Sequence, residues 1–228
     1  SSSTGAFTFT ISDTTLASIS GSTVSIVGAG ITIATVSQTA DSKYLAATAT
    51  MTLTINKANP TIVFNDVTKN FGDVDFDLIA SSNSSGVFSF TVSDTSVATV
   101  NSSTITIIGG GSTIITLNQS EVNNYNAGVA TMTLTVNKAS ISITFDDLTK
   151  TYGDPNFEFT ATSSSTGAFS FTISNTSIAT MVDSTTASIA AVGTSTVEVQ
   201  QAADDNYNSS SATMILTVIK ADPTIVFN

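Results

Sequence analysis

The chain has 228 residues with 6 basic and 17 acidic side chains, which gives a formal net charge of −11. Since nucleic acids and anionic membrane surfaces are bound mainly through basic residues, this balance argues against both as partners, and no apolar run is long enough to insert into a membrane. Histidine and cysteine are absent, which removes the usual general base, the thiolate nucleophile and the commonest transition-metal ligands. We therefore expect neither an enzyme nor a resident cofactor.

The composition favours β-strands. Hydrophobic residues make up 41% of the chain and charged residues only 10%, which is not the composition of a disordered segment. Threonine and valine are abundant, and residues of this kind are enriched in strands. A Lys-Ala pair recurs at residues 57, 138 and 220, and a Gly-x-Phe triplet recurs at residues 5, 86 and 167. A constant spacing of this kind is the signature of a tandem repeat.

The spacing divides the chain into four parts. Residues 1–57 form the C-terminal part of one repeat, residues 58–138 and 139–220 are complete repeats, and residues 221–228 correspond to the first strand of a further one. We refer to the three larger parts as the first, middle and last repeats.

Seven strands are predicted in the middle repeat, in the order 61–64, 74–80, 87–93, 97–100, 104–109, 113–119 and 130–136. Phe88, Phe90 and Val92 alternate with polar residues, as Met132 and Leu134 do near the end of the repeat. Alternation with a period of two indicates strands with one buried and one solvated face. Seven short strands in so small a unit predict an all-β, immunoglobulin-like sandwich.

Several phrases occur together in residues 57–126, and some of them recur in the last repeat. They are K-A-x-P-T-I, Y/F-G-D, S-x-T-S-V-A-T-V and N-Y-N. In this combination the chain resembles the bacterial Ig-like repeats of giant surface proteins and adhesins, and the Y/F-G-D turn resembles the MBG domains of the YGX type. Because such repeats are mostly stalks, the resemblance implies an extracellular, cell-surface structural protein.

One acidic phrase occurs twice, as DVTKNFGDVDFD from residue 66 and as DLTKTYGDPNFE from residue 147. Side chains that alternate along a strand share a face, and oxygen ligands clustered there could bind Ca²⁺. The candidate calcium ligands are Asp73, Asp75, Asp77, Asp154, Asn156 and Glu158. The alternative is a Gly-Asp turn leading into a strand with an acidic solvated face and a buried face of Val74, Phe76 and Leu78. We prefer this second interpretation and expect no metal requirement.

Two further features recur at constant positions. Tyr44, Tyr125 and Tyr207 are interpreted as rings that close a loop over the core, in the manner of a tyrosine corner, with sugar stacking as the alternative. The glycines at residues 28–30 and 109–111 fall between two predicted strands. No helix follows to supply amide groups for a phosphate, so we interpret them as hairpin glycines.

Short linkers join the repeats, at Asn56–Pro60 and Asn137–Ser140. Because they contain no flexible Gly/Ser run, we expect a semi-rigid extended rod whose partners are neighbouring repeats of the same chain. Other copies, joined head to tail or in a filament, are a further possible partner. The resulting hypothesis is a stalk or filament segment of a bacterial surface protein. The alternative is an adhesive module that contacts carbohydrate or a neighbouring surface.

Overall fold

Every regular element in residues 1–227, the part of the chain that the computed structural model describes, is a β-strand. The predicted all-β class is therefore confirmed. No helix capable of crossing a bilayer occurs among these residues.

The first repeat contains five strands, which are β1 (Phe7–Ile11), β2 (Ala17–Ser20), β3 (Thr23–Ile26), β4 (Gly30–Gln38) and β5 (Ala47–Ile55). A three-stranded antiparallel sheet has the order β1-β4-β5, and β2 and β3 form a separate hairpin. The register of the three-stranded sheet places Phe9 opposite Val36 and Val36 opposite Ala49.

The middle repeat contains nine strands, which are β6 (Ile62–Val63), β7 (Val67–Asn70), β8 (Phe76–Asp77), β9 (Ser81–Ser82), β10 (Phe88–Val92), β11 (Ala98–Asn101), β12 (Thr104–Ile107), β13 (Gly111–Gln119) and β14 (Gly128–Asn137). Strand β6 pairs with β9, β10 with β13, and β11 with β12, all antiparallel. Strand β7 pairs parallel to the end of β14, with Val67 opposite Leu134.

The last repeat contains seven strands, which are β15 (Leu148–Thr151), β16 (Phe157–Glu158), β17 (Phe169–Ile173), β18 (Ala179–Met181), β19 (Thr186–Ile189), β20 (Gly193–Gln201) and β21 (Ser210–Ile219). One sheet has the order β15-β21-β20-β17 and the other β16-β19-β18. The core cluster draws on both sheets, with Phe157 and Ala187 from the smaller one and Val199 and Leu216 from the larger one. Two sheets joined through one apolar core form the predicted β-sandwich.

The acidic phrase does not form the long strand that was predicted over residues 74–80. Gly72 adopts a left-handed φ of 91° and completes a turn, and the chain then forms only the two-residue strands β8 and β9. Leu78 is buried and Phe76 half-buried, as predicted, but Val74 is 84% exposed. The residue that directly follows the turn is therefore solvated, contrary to the prediction.

Strands β7 and β15 were not predicted, because the polar pairs Thr68-Lys69 and Thr149-Lys150 show no apolar alternation. The side chains of Lys69 and Lys150 are half-buried. Lys69 Nζ lies 4.7 Å from the centre of the Phe76 ring, and Lys150 Nζ lies 5.0 Å from that of Phe157. A lysine stem that covers an aromatic ring occupies a position where an apolar residue was expected.

Clustering of contacts divides the described chain into two compact units. The first unit contains residues 1–65, 77–93 and 115–132, and the second contains residues 66–76, 94–114 and 133–227. Since this division passes through the middle repeat, the repeat boundaries at residues 58, 139 and 221 stay predictions.

Candidate functional site

The Gly-Asp turns of the acidic phrase are closed by their own aspartates. Asp73 Oδ2 accepts a hydrogen bond from the Asn70 amide at 2.9 Å, and Asp154 Oδ2 accepts one from the Thr151 amide at 2.8 Å. A carboxylate that bonds to a nearby backbone amide in this way stabilises a tight turn. This local contact gives Asp73 and Asp154 a structural role that needs no ion.

The other candidate calcium ligands lie in different environments. Asp75 accepts a hydrogen bond from Thr106 Oγ1 at 3.0 Å. Asp77 lies on β8, Glu158 on β16, and Asn156 in the loop that precedes β16. Nowhere in residues 1–227 are three or more acidic side chains grouped closely enough to hold a metal ion.

In the middle and last repeats, one loop forms hydrogen bonds to the segment that links the repeat to the preceding repeat. We call residues 121–126 and 203–208 the joint loops. The Ala58 amide donates to the Asn124 carbonyl, and the Asn126 amide donates back to the Ala58 carbonyl, both at 2.9 Å. In the last repeat, Ala139 exchanges the same two bonds with Asn206 and Asn208, again at 2.9 Å. Both Lys-Ala linkers are therefore held by backbone pairing.

The linker lysines add a second contact to each joint loop. Lys57 Nζ donates to the Val122 carbonyl at 2.9 Å and forms an ion pair with Glu121. Lys138 Nζ donates to the carbonyl of Asp204, the residue equivalent to Val122. Because the acceptor in both cases is a backbone carbonyl, this contact survives the change from valine to aspartate.

Each joint loop also reaches back to the preceding repeat through an asparagine. Asn124 Oδ1 accepts a hydrogen bond from the Ala29 amide at 2.9 Å, and Asn206 Oδ1 accepts one from the Gly110 amide at 3.0 Å. Ala29 and Gly110 belong to the glycine-rich loops that connect β3 to β4 and β12 to β13. A Cβ atom on Gly110 would lie 2.6 Å from the Asp205 carbonyl oxygen. The prediction that these glycines lie in hairpins is wrong, because they connect strands of two different sheets, and their small size allows two repeats to approach closely.

Tyr207 takes part in the same joint and not in the core. Its ring packs edge-on against Phe71 of the preceding repeat, with ring centres 5.4 Å apart and an angle of 83° between the planes. Tyr125 and Tyr207 are half-buried, and Tyr44 is 46% exposed. The predicted role of these tyrosines in closing a loop over the core is therefore wrong for Tyr207, which packs across the joint.

A buried glutamine at the end of β4, β13 and β20 closes one end of each sandwich. Gln119 Nε2 donates to the carbonyls of Ser84 and Gly86 at 2.9 and 3.0 Å, and its Oε1 accepts from Ser82 Oγ at 2.8 Å. Gln38 and Gln201 make the equivalent three bonds in the first and last repeats. Sequence reasoning missed these residues, although their constant spacing at an inward-facing position of an alternating strand was visible.

In the first and last repeats an aspartate fastens the segment before β1 and β17. Asp41 Oδ2 accepts bonds from the Thr4 amide at 2.7 Å and from Ser3 Oγ at 2.8 Å. Its other oxygen accepts from the amides of Lys43 and Tyr44, both at 2.8 Å. The backbone bond from Lys43, followed by that from Thr4, holds the pKa of Asp41 well below its usual range.

Asp204 makes the equivalent contacts with Ser165, Thr166, Asn206 and Tyr207. Burial opposes its ionisation, but the hydrogen bonds from Thr166 and Ser165 outweigh burial, so the pKa of Asp204 also lies well below its usual range. The middle repeat has Val122 at this position and cannot make these bonds.

The comparisons with known proteins yielded distant structural matches only. No protein-family model matches the chain, and no curated protein matches its sequence. Among solved structures, Drosophila N-cadherin EC1-3 is 8% identical with a TM-score of 0.30, over 94% of this chain and 89% of that one. Titin domains Z1Z2 are 13% identical with a TM-score of 0.37, over 74% and 100%. The S-layer protein rSbsC(31-844) is 14% identical with a TM-score of 0.33, over 98% and 36%.

Proposed function

We propose that the chain is a segment of a structural stalk, built from tandem Ig-like sandwiches whose joints are stiffened by specific contacts. The observation that carries the proposal is that the same set of contacts occurs at two successive joints. Each has a Lys-Ala linker paired with the joint loop, a lysine bonded to a backbone carbonyl, and an asparagine bonded to a glycine-rich loop of the preceding repeat. A flexible tether would need none of these bonds.

The physical argument concerns the freedom of one repeat to rotate against the next. A linker without backbone partners leaves its dihedral angles free, whereas pairing at Ala58 and Ala139 restricts them. The asparagine bond to Ala29 or Gly110 adds a contact away from the linker, and two separated contacts resist bending better than one. Neighbour interfaces of this kind also contribute to the stability of repeat proteins.

We further propose that the stalk is extracellular and belongs to the bacterial Ig-like or MBG class. The Y/F-G-D turn, the N-Y-N loop and the Lys-Ala linker support this assignment, since each has a defined role in the turn or the joint. Labelling of intact cells of the source organism with antibodies against the chain tests the location. Signal that disappears when the intact cells are treated with protease is expected, and signal only after cell lysis would contradict it.

Small-angle X-ray scattering tests the stalk directly. We expect the wild-type chain to give an elongated particle with a single well-defined maximum dimension. The double variant Asn206→Ala, Gly110→Val loses the asparagine acceptor and places a side chain against the Asp205 carbonyl, so it should give a broader distribution of dimensions. Ser112→Ala, which lies in β13 two residues after Gly110 but outside the joint contacts, is the matched control. A compact wild-type particle would contradict the proposal.

An adhesive role is the second candidate function. It is favoured by one observation, a polar pocket that opens beside the joint loop of the middle repeat.

A further inference from the structure

A shallow pocket of about 620 Å³ lies beside the joint loop of the middle repeat, within the first compact unit. The lining residues come from two segments, one preceding β10 and the other following β13. They are Asn83, Ser85, Glu121, Val122, Asn123, Asn124 and Tyr125.

The pocket lies where the middle repeat differs from the other two. In the last repeat, Asp204 spans the two segments by bonding to Ser165 Oγ and the Thr166 amide, both at 2.8 Å. In the first repeat, Asp41 bonds to Ser3 and Thr4 in the same way. Val122 replaces this aspartate, and its side chain has no hydrogen-bond acceptor, so the side-chain bridge that joins the segments in the other repeats is missing.

The lining is rich in groups that bind hydroxyls. Asn83 Oδ1 accepts from the Thr61 amide at 2.8 Å, and Asn124 Oδ1 accepts from the Ala29 amide at 2.9 Å. Because both Oδ1 atoms accept these bonds, the two side-chain amides are oriented with their Nδ2 groups as donors toward a ligand. Glu121 pairs with Lys57 through Oε1, which leaves Oε2 as an acceptor. Tyr125 supplies an aromatic ring with a polar tip.

The charge of the site decides the class of ligand. Lys57 is the cation nearest the lining and is already paired with Glu121, and the chain as a whole carries a net charge of −11. An anionic ligand would therefore meet repulsion without a free cation to offset it. A neutral ligand with many hydroxyls and an apolar ring face matches the amides, the carboxylate and the tyrosine together.

We propose that this pocket binds neutral sugar residues of a glycan, and that the first and last repeats do not. The stalk would then carry its binding function in the middle repeat alone. This proposal is independent of the stalk itself, because loss of the pocket leaves the joint contacts of Ala58 and Asn124 in place.

Nuclear magnetic resonance titration of the isotope-labelled chain tests the proposal, with maltotriose and chitotriose as neutral probes and trigalacturonate as the anionic probe. We expect at least one neutral probe at millimolar concentration to shift the amides of residues 83–85 and 121–125. The equivalent amides at 164–166 and 203–207 should not move, and trigalacturonate should bind at least about tenfold more weakly, a difference of about 1.4 kcal/mol.

Two variants separate the pocket from the fold. Val122→Asp should restore the bridge to Ser84 and Ser85 and weaken binding by at least about tenfold. Asn123→Ala, which removes an exposed lining amide, should also weaken binding, whereas Asp205→Ala at the equivalent position of the last repeat should leave it unchanged. The proposal is overturned if neither neutral probe shifts the pocket amides, if all three repeats respond alike, or if both pocket variants bind as the wild type does.

Discussion

The first and last repeats carry the same alternating strands but differ in how far those strands are buried. Met51 on β5 and Met214 on β21 occupy equivalent positions, yet Met51 is 60% exposed and Met214 only 3%. Phe9 is 39% exposed, whereas its counterpart Phe171 is half-buried. The two sheets have nearly the same sequence pattern, so the difference arises outside them.

In the last repeat, the apolar side chains of the larger sheet are covered by residues from the segment that precedes β17. Phe145 and Phe159 both lie with ring centres 5.6 Å from that of Phe171, and Phe157 and Phe159 are in edge-to-face contact at 5.4 Å. Residues 1–57 contain counterparts of β17 to β21 and none of β15 or β16. Alternation therefore identifies which face of a strand is apolar, and a separate segment determines whether that face is buried.

The largest difference between the first and last repeats is expected when the equivalent methionines Met51 and Met214 are replaced, and it concerns the free energy of unfolding. Met214→Ala should lower the free energy of unfolding of the last repeat by about 2–5 kcal/mol, since it empties a filled core. Met51→Ala should cost the first repeat less than about 1 kcal/mol, as expected for an exposed side chain. Urea denaturation followed by hydrogen exchange of peptides from each repeat measures both. Equal costs would show that the first repeat is covered in solution.

The glutamine pair is expected to behave differently from the methionine pair. Gln38 and Gln201 are both buried and make the same three hydrogen bonds. Replacement of either by Leu leaves two carbonyls and a serine hydroxyl without their partner, at a cost of about 1–3 kcal/mol. The same denaturation measurement should give similar costs in the two repeats. A cost confined to the last repeat would mean that the bonds depend on the apolar cover.

Acid should destabilise the first and last repeats, which carry Asp41 and Asp204, more than the middle repeat, which has Val122 at this position. A carboxyl group whose pKa is lowered on folding stabilises the protein above its unfolded pKa, and this contribution is lost as the pH falls toward the folded pKa. The pKa values of Asp41 and Asp204 are both lowered. Between about pH 5 and pH 2, the urea midpoint of the last repeat should therefore fall more in the wild type than in Asp204→Asn. Identical pH dependence in both proteins would contradict this role of Asp204.

Calcium removal should have the smallest effect. Asp73 and Asp154 already bond to the backbone of their own turns, so addition of a chelator should leave the melting temperature of the chain unchanged. Calcium-saturated chelator is the matched control for ionic strength. A large decrease in melting temperature with free chelator alone would identify the acidic phrase as a calcium site.

The sequence predicted the all-β sandwich, because periodic alternation and turn residues are local signals. It did not predict that the glycines at residues 28–30 and 109–111 connect strands of different sheets, because strand pairing is not a local signal. Strands β7 and β15 could not be predicted in this way, because each has a lysine at an inward position, where it covers an aromatic ring seven residues further along the chain. The joint roles of Asn124 and Asn206 could not be predicted either, since their side-chain oxygens accept hydrogen bonds from loops 95 and 96 residues away. Such long-range contacts leave no local pattern.

Amide hydrogen exchange at Gly110, measured by nuclear magnetic resonance, tests most directly whether successive repeats are fastened together. The Gly110 amide donates to Asn206 of the next repeat at 3.0 Å. The equivalent amide of Val192 has no corresponding asparagine acceptor within residues 1–227. We expect Gly110 to exchange at least about tenfold more slowly than Val192 after correction for intrinsic rates, and to lose this protection in Asn206→Ala. Equal and fast exchange at Gly110 and Val192 would contradict a stiffened joint.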